Sequence, residues 1–161
     1  MRASNDVRQL EPCVILVAAL GDRMLQIAGS EAEGTILWMV GPRAIERHVA
    51  PKLRAAAREA GRTEPRIVAG MHIALTANPR AGREKIEKRL HVYGQMPSYR
   101  AMLEKEGPGG REHMALVGDE SVLDAGLQRL RDLGVSDFEA SIVRVEEGSE
   151  ERTLRYLEKH L

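Results

Sequence analysis

The chain has 161 residues with 24 basic and 24 acidic side chains, so its formal net charge is zero. That balance and an aromatic content of only 3% argue against a nucleic-acid partner, which needs a basic face and stacking surfaces. The single cysteine, Cys13, excludes an internal disulfide, fits a reducing compartment and is expected to be buried. Because no signal-peptide core or membrane-length apolar run is present, we expect a cytoplasmic protein with no membrane partner.

Short apolar runs alternate with longer amphipathic stretches along the chain. The apolar runs predict four strands, at residues 14–20, 35–40, 66–76 and 137–145. Helical spacing and Gly, Pro, Asn or Asp boundaries predict helices at residues 22–32, 42–60, 80–92, 97–106, 120–133 and 150–160. This order predicts an α/β fold with a parallel sheet of βαβ units. We expect one domain over residues 1–161, in which residues 1–11 form a flexible N-terminal segment.

The alternation of side chains along the predicted strands distinguishes two ways of closing such a sheet. The third strand has one uniformly apolar face, and its other face carries small or polar residues such as Gly70 and His72. The fourth strand alternates in the same way, with Phe138 on one face and Glu139 on the other. An open doubly wound sheet remains an alternative, but an apolar outer face and an inner face of small and polar residues favour the wall of a barrel. Since a (β/α)8 barrel takes about 250 residues, this chain has room for only a (β/α)4 half.

The strongest candidate for a binding site is the turn formed by Ala19, Leu20, Gly21, Asp22 and Arg23. It lies between the carboxyl end of a strand and the amino end of a helix, where free N–H groups and the helix dipole attract anions. The glycine lets the backbone approach a phosphate, and the arginine adds a bidentate donor. The aspartate could instead cap the helix itself and repel a phosphate, which leaves a plain turn as the alternative.

Four further residues are candidates for lining a pocket. His72 and Glu139 fall on the mixed face of adjacent strands, either as an acid–base pair or as polar groups that fill the interior. Trp38 and Met39, at the exit of the second strand, either face a flat cofactor or pack in the core. The spacing of His, Cys, Asp and Glu matches no metal site, so none is predicted.

Several segments together resemble the bacterial-luciferase-like oxidoreductases, and in particular the enzymes that depend on the deazaflavin coenzyme F420. The matching segments are residues 18–42, 93–107, 115–138 and 150–157. The resemblance implies a TIM-type (β/α)8 barrel that uses a flavin or deazaflavin for hydride transfer or monooxygenation. It also implies that Ala19, Leu20 and Gly21 contact the phosphate-bearing tail of the cofactor. Asp22 departs from the pattern, because relatives usually have proline at that position.

Only the last four βα units of such an enzyme are represented in the chain. The resemblance therefore implies a luciferase-like oxidoreductase or monooxygenase, either as a working unit or as only a partial unit. Its implied cofactor is coenzyme F420 or, alternatively, FMN. The alternatives are a non-catalytic half-barrel that binds or assembles, or a truncated inactive product that holds no cofactor. Because half a barrel leaves two sheet edges free, we expect it to be completed by dimerisation with a second copy, either closed into a barrel-like whole or packed with the two sheets face to face. The catalytic residues and the substrate are not predicted.

Overall fold

The computed structural model of the protein describes residues 13–160, so the whole of the predicted N-terminal segment 1–11 lies outside the described part, as do residues 12 and 161. Helices and strands alternate along the chain much as their patterns predict. In chain order the elements are β1 (Leu16–Ala18), α1 (Asp22–Ser30), β2 (Gly34–Trp38), α2 (Pro42–Ala44), a π-helical turn (Ile45–Val49), α3 (Ala50–Glu59), β3 (Arg66–Leu75), α4 (Pro79–Tyr93), α5 (Pro97–Glu106), a 3₁₀ segment (Gly110–Met114), β4 (Ala115–Gly118), α6 (Glu120–Asp132), β5 (Asp137–Ile142) and α7 (Ser149–Glu158).

The sheet is entirely parallel, and four of its strands form one continuous row. β1 pairs with β2, β2 with β3, and β3 with β5. Residues in register across this row include Ala18, Ile36, Val68 and Asp137. β1 and β5 are the two outer strands of the row, and each has a single partner among the strands that the structure describes. This arrangement confirms the α/β fold with four parallel strands in a half-barrel order.

The expected number of strands is wrong by one, because the four residues of β4 also join the sheet. β4 pairs with His72–Leu75, the upper part of β3, on the edge opposite β5. Along the same edge of β3, β2 pairs only with Arg66–Gly70. The upper part of this edge of β3 can therefore accept another strand. A run of four residues that follows a glycine-rich loop is too short to show a period of two. The other strands have their predicted places but are shorter by up to four residues.

The core lies between the outer face of the sheet and the helices. Ile67, Ala69 and Met71 of β3 are each at most 1% exposed and pack in one cluster with Leu25 of α1 and Leu53 of α3. This is the face that the sequence predicts to be apolar and turned toward the helices. The opposite face is only partly covered, because Ala18 on β1 and Glu139 on β5 are exposed. The half-barrel therefore has a packed convex side and an open concave side.

Candidate functional site

The predicted turn lies where β1 ends and α1 begins. Gly21 is the N-cap of α1 and has an extended backbone, with a φ of −88°. A Cβ placed on it would meet nothing within 4 Å, so the glycine is not required by packing and leaves open space beside the turn. Arg23 is exposed in the first turn of the helix. The backbone at the start of α1 is accessible to a ligand.

Asp22 is neutralised by a lysine and does not cap its own helix. It is the first residue of α1, and the N-cap, Gly21, has no side-chain hydrogen bond. The Asp22 carboxylate instead receives the Lys52 ammonium, with 2.5 Å between Oδ2 and Nζ. This hydrogen bond is the main cause that lowers the pKa of Asp22. The self-capping aspartate that the sequence suggested is therefore wrong, and a paired carboxylate occupies the turn.

Two residues at this turn, His48 and Lys52, were not predicted from the sequence. His48 is buried in the π-helical turn, and its Nε2 lies 3.0 Å from the Leu20 carbonyl oxygen and 3.7 Å from Asp22 Oδ1. Lys52 follows one turn later in α3. Side chains four residues apart lie on one face of a helix. This spacing is the only signal in the sequence that could have associated His48 with Lys52. A π-helical turn often marks a functional site, and here it carries the histidine that contacts the β1–α1 turn.

A groove of about 470 Å³ opens on the concave side, at the carboxyl ends of the strands. Its lining residues come from the carboxyl ends of β1 and β2, the residues just after β1, the middle of β5 and the start of α5. They are Ala18, Ala19, Leu20, Ile36, Leu37, Trp38, Ser98, Tyr99 and Glu139. The groove shares Ala19 and Leu20 with the β1–α1 turn. The volume lies within the range of small-molecule sites. The structure therefore joins the predicted turn and two of the predicted pocket residues, Trp38 and Glu139, in one place.

The floor of the groove depends on a glycine in the middle of β3. Trp38, Gly70 and Glu139 are in register across β2, β3 and β5. A Cβ on Gly70 would lie 2.8 Å from Trp38 Cε3 and 3.0 Å from Glu139 Oε2. The absence of a side chain at this position lets the indole and the carboxylate lie against the strand. A flat aromatic surface and an acceptor of hydrogen bonds thus stand side by side.

His72 and Glu139 do not form a hydrogen-bonded pair in the part of the chain that the structure describes. His72 Nδ1 lies 3.0 Å from the Oγ atom of Ser141, the residue opposite His72 on β5. Its ring meets the Trp38 ring edge to face, with 5.3 Å between the centroids. This arrangement agrees with a polar group that is satisfied in the interior. Any proton transfer by Glu139 would have to involve a group other than this histidine.

Met39 does not line the groove, although the sequence allowed it as a lining residue. Its backbone has a φ of 51°, which is the left-handed region that non-glycine residues rarely adopt. Its N–H donates to the Gly70 carbonyl oxygen at 2.8 Å, and its side chain is 1% exposed beside Leu90 and Tyr93. The left-handed turn breaks the alternation of the strand, so that Met39 packs in the same apolar cluster as Trp38. Such strain is often found at the edges of functional sites.

Burial of His72 predicts a pH-dependent stability. Desolvation is the main cause that lowers the pKa of His72 from its model-compound value of 6.5. The unfolded chain therefore binds a proton more readily than the folded chain, and stability rises with pH. We expect the free energy of unfolding to be fully developed above pH 6.5 and to fall as the pH decreases below that value. Urea unfolding at pH 7.5 and 5.5 measures the difference, which His72→Gln should reduce; an equal pH dependence in both proteins would contradict the assignment.

The described residues contain neither a metal cluster nor a membrane span. No group of three or more His, Cys, Asp or Glu side chains within residues 13–160 is placed to hold a metal ion. Within the same range, no helix has the length and apolar character needed to cross a membrane. Cys13 is exposed, so the expectation that it is buried is wrong.

Comparisons with known proteins agree with this geometry. The family model described as luciferase-like monooxygenase matches residues 2–139. No curated protein sequence matches the chain at a significant level. Among solved structures, an F420-dependent secondary alcohol dehydrogenase in complex with an F420–acetone adduct has a TM-score of 0.68 and 13% identity, over 87% of this chain and 47% of that one.

Two other solved structures show the same relationship. The coenzyme F420-dependent tetrahydromethanopterin reductase from Methanopyrus kandleri has a TM-score of 0.59 and 18% identity, over 83% of this chain and 46% of that one. The EDTA monooxygenase from Chelativorans sp. has a TM-score of 0.62 and 14% identity, over 91% and 43%. At these identities the likeness shows the fold alone. The chain spans about half the length of the structures that it matches.

Proposed function

Because this chain belongs to the luciferase-like monooxygenase family, we propose that its groove binds the deazaflavin coenzyme F420 or a flavin such as FMN. The observation that carries the proposal is the continuity of the 470 Å³ groove with the β1–α1 turn through Ala19 and Leu20. One end of this space offers a flat indole, and the other offers the backbone amides of a helix start. A cofactor with a planar ring and a phosphate-bearing tail needs these two features at opposite ends.

The charges around the turn suit a phosphate despite the carboxylate of Asp22. Lys52 pairs with that carboxylate, and Arg23 is exposed beside it. Asp22 also lies within the electrostatic reach of Lys105 and His48. Lys52, Lys105 and Arg23 therefore place three positive charges near one carboxylate. A phosphate could draw the flexible ammonium of Lys52 away from Asp22 and add the free amides of α1.

In this assignment the protein positions the cofactor, and the cofactor supplies the hydride chemistry of the family. Trp38 would lie against the planar ring, and Gly70 leaves room for the indole itself beside β3. The Glu139 carboxylate would accept a hydrogen bond from a ring N–H or a hydroxyl group of the ligand. Leu20 and Ile36 would cover apolar parts of the cofactor and exclude water from them. The activity is accordingly that of an oxidoreductase or monooxygenase, with its substrate undetermined.

Cofactor binding can be tested by the fluorescence of Trp38, because it is the only tryptophan of the chain. Titration with coenzyme F420 and with FMN should quench its emission at micromolar concentrations. Asp22→Asn should tighten binding, because it removes a negative charge beside the phosphate. Lys52→Ala should weaken binding about tenfold, since it removes a cation and frees Asp22 to repel the ligand.

A matched control for Lys52→Ala is Lys88→Ala, which removes an exposed lysine from the surface of α4. It should leave the affinity unchanged. If the Asp22–Lys52 pair had a purely structural role, Asp22→Asn and Lys52→Ala would both lower the stability of the protein and would not have opposite effects on cofactor affinity. No quenching by either cofactor at tens of micromolar would refute the proposal.

A non-catalytic binding module is the second candidate, and one observation favours it. His72 is held by Ser141 and is not joined to Glu139, so the described groove lacks a ready acid–base pair. The concave side also has only one wall, which leaves a bound ring open to water. Cofactor binding without turnover of any reducible partner would support this reading. Turnover by the purified chain would exclude it.

A further inference from the structure

The two outer strands of the half-barrel are the most conspicuous surface that the fold leaves without a partner. Within residues 13–160, β1 and β5 each pair with one strand, and they run in the same direction at opposite ends of the row. Val14 and Ile15, directly before β1, are 59% and 55% exposed. A free apolar edge of this kind is a template for pairing with another chain. Neither β1 nor the two residues before it contains a lysine or a proline that would prevent such pairing.

We propose that a second copy of this chain closes the barrel, with β1 of each copy paired to β5 of the other. A two-fold axis along the centre of the barrel keeps all strands parallel and makes both new strand pairs identical. The chain contributes four strands to the row and spans 47% of the F420-dependent dehydrogenase that it matches. Two copies would therefore supply the eight strands of a (β/α)8 barrel.

The register of the new strand pairs follows from the geometry of such a barrel. A TIM-type barrel has a shear of about eight, so a two-fold barrel shifts the register by about four residues per half. Within one copy, one row of residues in register consists of Ala18, Ile36, Val68 and Asp137. Continued into the second copy, this row would meet the chain about four residues before Ala18 of the partner subunit. Asp137 would lie opposite Val14 of the partner subunit. A shift in the other direction would place Asp137 opposite a helix and leave β5 unpaired.

The proposed register also keeps the two faces of the sheet consistent. It pairs Glu139 with Leu16 of the partner subunit and Ser141 with Ala18 of the partner subunit. All four residues belong to the concave face, as their registers with Gly70, His72 and Ile36 show. Closure would cover Ala18 and Glu139, which are exposed in the single chain, and would give the groove its second wall. The binding site of one copy is therefore incomplete without the other.

Substitutions at two equally exposed valines test the interface. Val14 precedes β1, and Val92 lies near the end of α4; each is 59% exposed. Sedimentation velocity of the 161-residue chain should show a dimer at tens of micromolar. Val14→Glu should raise the dissociation constant of the dimer at least about tenfold, because it places a negative charge opposite Asp137 and beside Glu139 in each of the two strand pairs. Val92→Glu should leave that constant unchanged.

Disulfide trapping tests the register independently of affinity. The proposed pairing sets the native Cys13 opposite Ser136 of the partner subunit, at a separation that suits a disulfide. Oxidation with copper phenanthroline should convert Ser136→Cys into a covalent dimer. Glu139→Cys, which the register places three residues away and on the other face, should cross-link much less. Circular dichroism confirms that both variants are folded.

Three results would overturn the proposal. They are a wild-type monomer at tens of micromolar, equal effects of the two valine substitutions, and equal cross-linking of the two cysteine variants. None of them depends on a cofactor, so the dimer can fail while the titration with coenzyme F420 or FMN succeeds. A monomer that dimerises only with a different half-barrel chain would also refute the second copy as the occupant.

Discussion

Gly34→Ala should destabilise the protein by about 3 kcal/mol or more, which is a large fraction of the stability of a typical domain. Gly34 has a φ of 150°, which side chains rarely adopt, and it is the residue at which β2 starts. A Cβ at this position would fall on the carbonyl oxygen of Arg66, to which Gly34 is directly paired. The backbone of β3 cannot move away, because Arg66 N–H donates to the Glu33 carbonyl oxygen at 2.8 Å.

Gly21→Ala is the matched control for this prediction. Gly21 has an ordinary φ of −88°, and a Cβ on it would touch nothing within 4 Å. The same substitution should therefore change the free energy of unfolding by less than about 1 kcal/mol. Urea unfolding followed by Trp38 emission measures both variants. Comparable losses in the two proteins would show that the contact with Arg66 does not control the pairing of β2 and β3.

Glu106→Ala should cost about 2–4 kcal/mol, because Glu106 is a fully buried carboxyl group that joins two distant parts of the chain. Its Oε2 accepts a hydrogen bond from Ala44 N–H at 2.9 Å, at the start of the helical segment after β2. Its Oε1 lies 3.2 Å from His113 Nδ1. The side chain also fills the space above Gly41, where a Cβ would overlap it. Alanine would leave a cavity and an unpaired amide.

Glu106→Gln separates the hydrogen bond from the charge. Glutamine has nearly the same volume and can still accept from Ala44 N–H, so we expect a loss of about 1 kcal/mol or less. Chemical unfolding gives both values. If glutamine proved as damaging as alanine, the charge of Glu106 and its approach to His113 would matter more than the acceptor. Such a result would contradict the role assigned to the contact with Ala44.

These contacts explain how the groove is held in shape. Glu106 ends α5, which presents Ser98 and Tyr99 to the groove. Ala44 follows the turn that carries Trp38 at the end of β2. The buried carboxyl group therefore connects two walls of the groove. A variant at this position should change the emission of Trp38 as well as the stability.

Local patterns in the sequence predicted the kinds of elements, their order except for β4, and the two faces of the sheet. The bounds of α5 were predicted to the residue, and the assignment of Gly70 and His72 to one face of β3 was correct. Such features depend on hydrophobic periodicity and on the residues that start and stop helices, which act within a few positions along the chain. The resemblance to luciferase-like enzymes was likewise evident from contiguous segments, and the family model confirms it.

Which distant side chains contact each other is known only from the folded chain. Asp22 pairs with Lys52, His72 with Ser141, and Glu106 with Ala44, which is 62 residues away. These contacts depend on strand register and on how the helices pack, and neither leaves a local pattern in the sequence. The same reason accounts for β4, whose partner on β3 is available only because β2 ends below it. It also accounts for Met39, which the left-handed turn of its backbone places in the same apolar cluster as Trp38.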